Sequence, residues 1–131
     1  MVFLIASVTS TLFNSYKNSS FHIDGSFNFN STDLVYIISC LKCNGLYVDQ
    51  TARMIEERLN NHRSDIKLKT ATAAGVHFNE PKHSIKDLKI TPISDLSHIT
   101  TQDRTKVEYN FLKLFNTFYK SGMNYYPIID N

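Results

Sequence analysis

Cysteine is nearly absent from this chain. There are two in 131 residues, and they stand three positions apart, at Cys40 and Cys43. That excludes the disulfide framework that holds small secreted folds together, and a bridge across so short a loop would add little stability. Charge of one sign is scarce as well. Fourteen basic against twelve acidic groups leave a formal charge of +2, too small an imbalance to name nucleic acid as the partner. No apolar run approaches the ~18 residues that a membrane-spanning helix needs. The opening Met1-Val-Phe-Leu-Ile-Ala-Ser-Val8 has the look of a secretory signal but lacks its basic leader and has too short an apolar stretch. The chain therefore reads as intracellular, with reduced thiols, and as starting partway through a longer ancestral frame. No internal repeat is visible.

What is present is enough apolar material, 42% of residues, to build one domain with a core. Residues 1–32, rich in Ser, Thr, Asn and scattered Phe, read as a loosely packed lead-in with one short strand near Ser26 to Phe29. The domain proper spans 33–126, and 127–131 form a tail. Leu34-Val-Tyr-Ile-Ile-Ser39 is almost continuously apolar and β-branched, as in a strand covered on both faces. Asn44-Gly45 supplies positive-φ residues for a tight turn into a second, antiparallel strand, Leu46 to Val48. Thr51 caps a helix over Ala52 to Ile66, with Ile55, Leu59 and Ile66 on its apolar face and Arg58 and His62 beside it. A short helix near Ala73 to Asn79 is stopped by Pro81. Leu88 to Ile93 is a third strand, which Pro92 places at a sheet edge. Thr100 to Asp103 has capping-box form and leads into the strongest helical period of the chain: Val107, Phe111, Leu114, Phe115, Phe118. The fold class is α+β, a small antiparallel sheet of about three strands flanked by helices.

Cys40-x2-Cys43 at a hairpin tip, with His77-x5-His83 downstream, has the form of a zinc site, because a tight Cys-x2-Cys turn presents two sulfurs to one ion. Spacing alone equally allows two reduced thiols and two surface histidines. Arg58 and His62 could touch a phosphate or line a solvated face. Glu108 could be a rim carboxylate paired with Arg104, and Tyr36 and Tyr47 could be ordinary strand aromatics.

Taken in order, Leu34-Val-Tyr36, Leu46-Tyr-Val-Asp-Gln-Thr51, Glu57-Arg58-Leu-x-x-His62 and Glu108-x-x-Phe-Leu112 resemble the GIY-YIG nuclease family. They are most similar to the version carried by Penelope-like retroelements, where it follows a reverse transcriptase. Cys40, Cys43, the Val76-His-Phe-Asn-Glu-Pro-x-His83 segment and Gly122-Met-Asn124 also resemble that subgroup. The resemblance implies hydrolysis of DNA phosphodiesters with Mg2+ or Mn2+ held by Glu108, and a structural zinc on Cys40, Cys43, His77 and His83. It implies that Tyr36 activates water, that Tyr47 holds the water or the phosphate, and that Arg58 neutralises the pentavalent phosphorus. His62 and Arg63 become DNA contacts, and a reverse transcriptase and a nuclear setting become the expected context. Such a site should gather Tyr36, Tyr47, Arg58 and Glu108 on one solvent-open face, with a nearby cation lowering the tyrosine pKa. Leu34 replaces the family's first glycine. Asp49 stands where the second motif ends in glycine, bringing bulk and negative charge to the phosphate's neighbourhood or a further oxygen to the metal. A catalytically weak or inactive, zinc-stapled module that binds nucleic acid or protein is the alternative.

Overall fold

The computed structural model describes residues 11–14, 19–23, 26–117 and 122–124. Thr11–Asn14 (β1) and Ser19–His22 (β2) pair as a short antiparallel ribbon. The main sheet has the order β4-β3-β5, all antiparallel, from Leu34–Cys40 (β3), Leu46–Thr51 (β4) and Leu88–Asp95 (β5). Among the described residues three helices accompany it: Ile55–Leu68 (α1), Ala73–His77 (α2) and Thr101–Phe115 (α3). A single 3₁₀ turn, Ile85–Asp87, leads into β5. The architecture is thus the expected α+β class, a three-stranded antiparallel sheet with helices. No helix among the described residues is long and apolar enough to cross a membrane.

β3 is the centre. Leu34, Val35, Tyr36, Ile37 and Ile38 are all fully buried, so both faces of the strand are covered and the apolar run need not alternate. β5, carrying Pro92, is an edge strand as the proline requires. Its register against β3 shifts at one place: Val35 pairs with Ser94 but Tyr36 with Pro92, leaving Ile93 as a bulge. That irregularity falls at Tyr36, and bulges commonly re-aim side chains beside functional sites.

Several expectations are corrected. Ser26 to Asn30 is coil and turn, not strand, and the residues before Asp33 do more than lead in. Ile23 and Phe27 are core residues. The carbonyls of Ser31 and Phe29 accept from the N–H groups of Ile55 and Glu56 at 3.0 and 3.2 Å, which satisfies two orphan donors of α1. This explains why α1 starts at Ile55 behind Met54, with no side-chain cap; the Thr51 hydroxyl instead accepts from Arg53 N. At the hairpin tip only Asn44 has positive φ (62°), because the loop closes by a wider turn, Asn44 N to Cys40 O. The Thr100 cap on α3 is present, its hydroxyl accepting from Asp103 N. Phe118 and the tail 127–131 lie outside the described residues.

The outer edge of β4 is closed by residues far away in sequence. Asn124 accepts from Val48 N through Oδ1 (2.7 Å) and donates from Nδ2 to Val48 O (2.9 Å), so one side-chain amide replaces a neighbouring strand. Met123 N adds a bond to Leu46 O. Gly122 allows this approach: a Cβ there would sit 2.6 Å from Thr117 O and 2.8 Å from Leu46 O. Asn124→Ala leaves two buried backbone groups of β4 unpaired, at about 1–3 kcal/mol each. Urea unfolding should register a loss of about 2–4 kcal/mol; a loss under about 0.5 kcal/mol would mean water replaces the amide.

Candidate functional site

Two clusters hang on β3, one at Tyr36 and one at Cys40.

At the Cys40 end, Cys40, Cys43, His77 and His83 each offer a ligand atom, and all four atoms lie within 4.8 Å of one another. Zn–S bonds of about 2.3 Å and Zn–N bonds of about 2.0–2.1 Å would set the ligands roughly 3.3–3.8 Å apart, so shifts of about 1 Å close the tetrahedron. Both rings are oriented for it. His83 Nδ1 lies 3.0 Å from the Pro81 carbonyl, which can only accept, so its proton sits on Nδ1. Its Nε2 is buried without a hydrogen-bond partner, as a metal-facing lone pair would be. His77 does likewise: Nδ1 faces Glu80 Oε1 at 3.2 Å and Nε2 faces Cys43 Sγ at 3.4 Å. A carboxylate or carbonyl behind each imidazole is the usual outer support of a zinc ligand. Lys42 N donates to Cys40 Sγ at 3.4 Å. Burial raises the Cys40 pKa. Partial burial pushes Cys43 up too, but the His83 ring and Gly45 N–H outweigh it and hold that thiol below its ordinary value. This cluster could therefore hold a tetrahedral metal ion, and its donor set suits zinc.

At the other end, the β3–β4 register sets Tyr36 directly opposite Asp49, and the two-residue period puts Tyr47 on the same face. Asp49 Oδ2 is the meeting point: Tyr36 Oη, Tyr47 Oη and Arg58 Nη2 each lie 3.2 Å from it. Glu108, on α3, is a close enough neighbour of Asp49 for the two carboxyls to interact: burial first, then this neighbouring carboxyl and its like charge, raise the Glu108 pKa to about 8. The four residues expected to share a site are thus brought together, around Asp49.

Their setting differs from expectation in two respects. Tyr36 is fully buried, so solvent meets the cluster at Arg58 and Asp49, whose side chains are 26% and 24% exposed, and at the half-buried Tyr47 and Glu108. The cation effect on Tyr36 is also outweighed. Arg58 favours the phenolate, but burial and then the Asp49 charge raise the Tyr36 pKa well above its ordinary value; Tyr47 is raised by the same two causes.

His62 stands inside the apolar stripe of α1 rather than beside it, because 55, 59, 62 and 66 share one face. Only 5% exposed, its pKa falls to about 4 through burial and the Arg58 charge. The neutral ring places Nε2 2.6 Å from Tyr36 Oη, so it is a partner of the tyrosine and not a surface contact for DNA. Arg63, the other expected DNA contact, is part-exposed with its Nε buried and unpartnered. Arg104 does not pair with Glu108; it reaches Asp33 at 2.7 Å. The supports Glu80 and Pro81 O escaped the sequence reading, although Glu80 stands one helical turn from His77, a detectable spacing. No protein-family profile matches the chain, and no curated protein or solved structure matches it.

Two outcomes follow. Purified protein should carry one equivalent of zinc by elemental analysis, and His83→Asn or Cys43→Ser should lose it. A structural zinc is worth about 10–16 kcal/mol of apparent binding energy in small sites, so stripping it should lower Tm by about 10 °C or more; a zinc-free chain with an unchanged Tm refutes the assignment.

The second concerns pH. With its folded pKa raised from 4.5 to about 8, Glu108 contributes stability that is complete below pH 4.5 and is lost as pH rises through 8. His62, with its folded pKa lowered, acts oppositely and only below its ordinary value of 6.5. Between pH 6.5 and 8, at constant zinc and without other divalent ions, the wild type should lose about 1–2 kcal/mol relative to Glu108→Gln. Parallel urea midpoints for the two proteins would show that Glu108 is already ionised.

Proposed function

We propose that this chain is a metal-dependent DNA endonuclease domain of the GIY-YIG kind, similar to that of Penelope-like retroelements, held together by a structural zinc. The observation that supports this reading is the convergence of Tyr36, Tyr47, Arg58 and Glu108 on one carboxylate position. Two strands and two helices deliver these residues, in the order in which the motifs run along the chain.

Glu108, crowded by the like charge of Asp49, fits a hard divalent cation, because positive charge relieves that repulsion. Mg2+ or Mn2+ held by Glu108 would supply Lewis-acid stabilisation of the leaving 3′ oxygen. The side chains do the rest. Tyr36 orients the attacking water and takes a proton from it as its own proton passes to the neutral Nε2 of His62, 2.6 Å away. The raised pKa of Tyr36 makes this relay, rather than a standing phenolate, the route to a base. Arg58 and the Tyr47 hydroxyl donate to the phosphoryl oxygens as charge builds up on them. Water's oxygen joins phosphorus, the bond to the 3′ oxygen breaks, and that oxygen is protonated from solvent. The product is a nick suited to priming a reverse transcriptase encoded by the parent element, in a nuclear setting.

A second reading, a zinc-stapled module that binds nucleic acid or protein without cutting, is favoured by Asp49 itself, which fills the place where a phosphate oxygen would go. Supercoiled plasmid with Mg2+ or Mn2+ distinguishes the two. Nicking by the wild type, reduced at least about 100-fold in Glu108→Gln and in Arg58→Ala, supports the nuclease. Absence of nicking by both the wild type and Asp49→Asn overturns it in favour of the binding module.

A further inference from the structure

Asp49 takes no part in the hydrolysis described above, yet it is tied to the groups that would perform it. Its Oδ2 lies 3.2 Å from Tyr36 Oη, Tyr47 Oη and Arg58 Nη2, and its Oδ1 accepts from Gln50 N at 2.8 Å. Two phenolic hydroxyls and a guanidinium directed at one anionic oxygen form an oxyanion site, whichever molecule supplies the oxygen. In this chain the supplier is the protein.

We propose that Asp49 is an internal anion: its carboxylate occupies the oxyanion position of a phosphodiester-binding site built from Tyr36, Tyr47 and Arg58, and closes that site against nucleic acid. The inference rests on the phosphate-handling part of the function proposed above and adds an autoinhibitory contact to it.

Three further features agree. The carboxylate stands at the mouth of the cluster, part-exposed together with Arg58, while Tyr36 and His62 lie buried beneath. Next, Asp49 uses only part of the guanidinium. Arg58 reaches it through Nη2, while its Nε is buried with no hydrogen-bond partner. A phosphate, with two non-bridging oxygens, can accept from more of the fork's donors than this single contact uses. Finally, the Tyr36 hydroxyl has one proton and two acceptors within reach, Asp49 Oδ2 at 3.2 Å and His62 Nε2 at 2.6 Å, so the carboxylate competes with His62 for it. While the carboxylate accepts that proton, a hydrogen bond between Tyr36 and His62 requires His62 Nε2 to donate, which is the wrong tautomer for a base. Removing the carboxylate frees Tyr36 to donate to His62.

The test is DNA binding, measured apart from cleavage. A fluorescein-labelled 20-bp duplex is titrated by anisotropy in ~100 mM salt, with the protein's zinc in place and no Mg2+ or Mn2+. Asp49→Asn keeps the shape of the side chain and removes its charge; Asp49→Gly removes both. Each should bind about 10- to 100-fold more tightly than the wild type. Each should also steepen the fall of log K with log salt by about 0.9, the signature of one added phosphate contact. The gain should vanish when Arg58→Ala is added. Unchanged or weaker binding by folded Asp49→Asn and Asp49→Gly overturns the proposal. So does loss of the folded circular-dichroism spectrum in both variants, since Asp49 is then an anchor of β4 and not a removable plug. Failure here is separable from failure of the nuclease. Variants that bind tightly but never nick plasmid in Mg2+ or Mn2+ uphold the internal anion and refute the enzyme. A wild type that nicks, with variants that bind no better, does the reverse.

Discussion

The double-sided burial of β3 is the constraint on which everything else rests. A strand that is apolar along nearly its whole length can persist only if both faces are covered and both edges are hydrogen-bonded. β4 and β5 satisfy the edges. The faces are closed by a core that draws on α1, α2, α3, Ile23, Phe27 and Met123. Because β3 cannot shift without exposing that core, its polar members are fixed as well. Tyr36 in the middle and Cys40 at the end become rigid reference points, about which the two clusters assemble. A single strand thus couples the metal-type cluster to the tyrosine cluster.

The two clusters resolve the cost of burying polar groups in opposite ways. At Cys40 the ligands are held by outer partners that accept hydrogen bonds, Glu80 and Pro81 O, leaving lone pairs turned inward. Such an arrangement could be completed by a cation. At Tyr36 the donors are turned inward and are met by the carboxylate of Asp49. That end is finished by an anion, and the protein supplies it. Glu108 is kept from ionising freely by burial and by its acidic neighbour Asp49. Asp49 thus has both the Arg58 guanidinium and a second carboxyl as neighbours.

Supports distant in sequence keep these arrangements in register. Asn124 fastens β4 at Val48, the residue between Tyr47 and Asp49, and Gly122 permits the approach because any side chain there would strike backbone. Arg104 ties α3, the helix that carries Glu108, to Asp33 at the entrance to β3. Phe29 and Ser31 lend their carbonyls to the start of α1, the helix that carries Arg58 and His62. Each of the elements that deliver a site residue is thus pinned by a contact that spans the fold.

The sequence by itself determined the elements and the chemical candidates. Apolar, β-branched runs located β3 and β5, helical periodicity located α3, the turn chemistry located the hairpin tip, and Pro92 marked an edge, because these signals are local and each is read over a few residues. The Cys and His pairs were equally legible, since ligand chemistry belongs to residue type. Tertiary structure alone decided the rest. It set the start of α1, whose first donors are satisfied from residues more than twenty positions earlier, where no local cap signal exists. It put His62 in the core, an outcome that spacing permitted but polarity argued against, because Tyr36 supplies the partner a buried imidazole needs. It turned Asp49 from an oddity in a motif into the centre of a hydrogen-bond network, since only the pairing of β3 with β4 and the packing of α1 and α3 bring three donors and a second carboxylate to one side chain. Long-range convergence of this kind depends on pairwise geometry, and a linear pattern of residue types does not encode it.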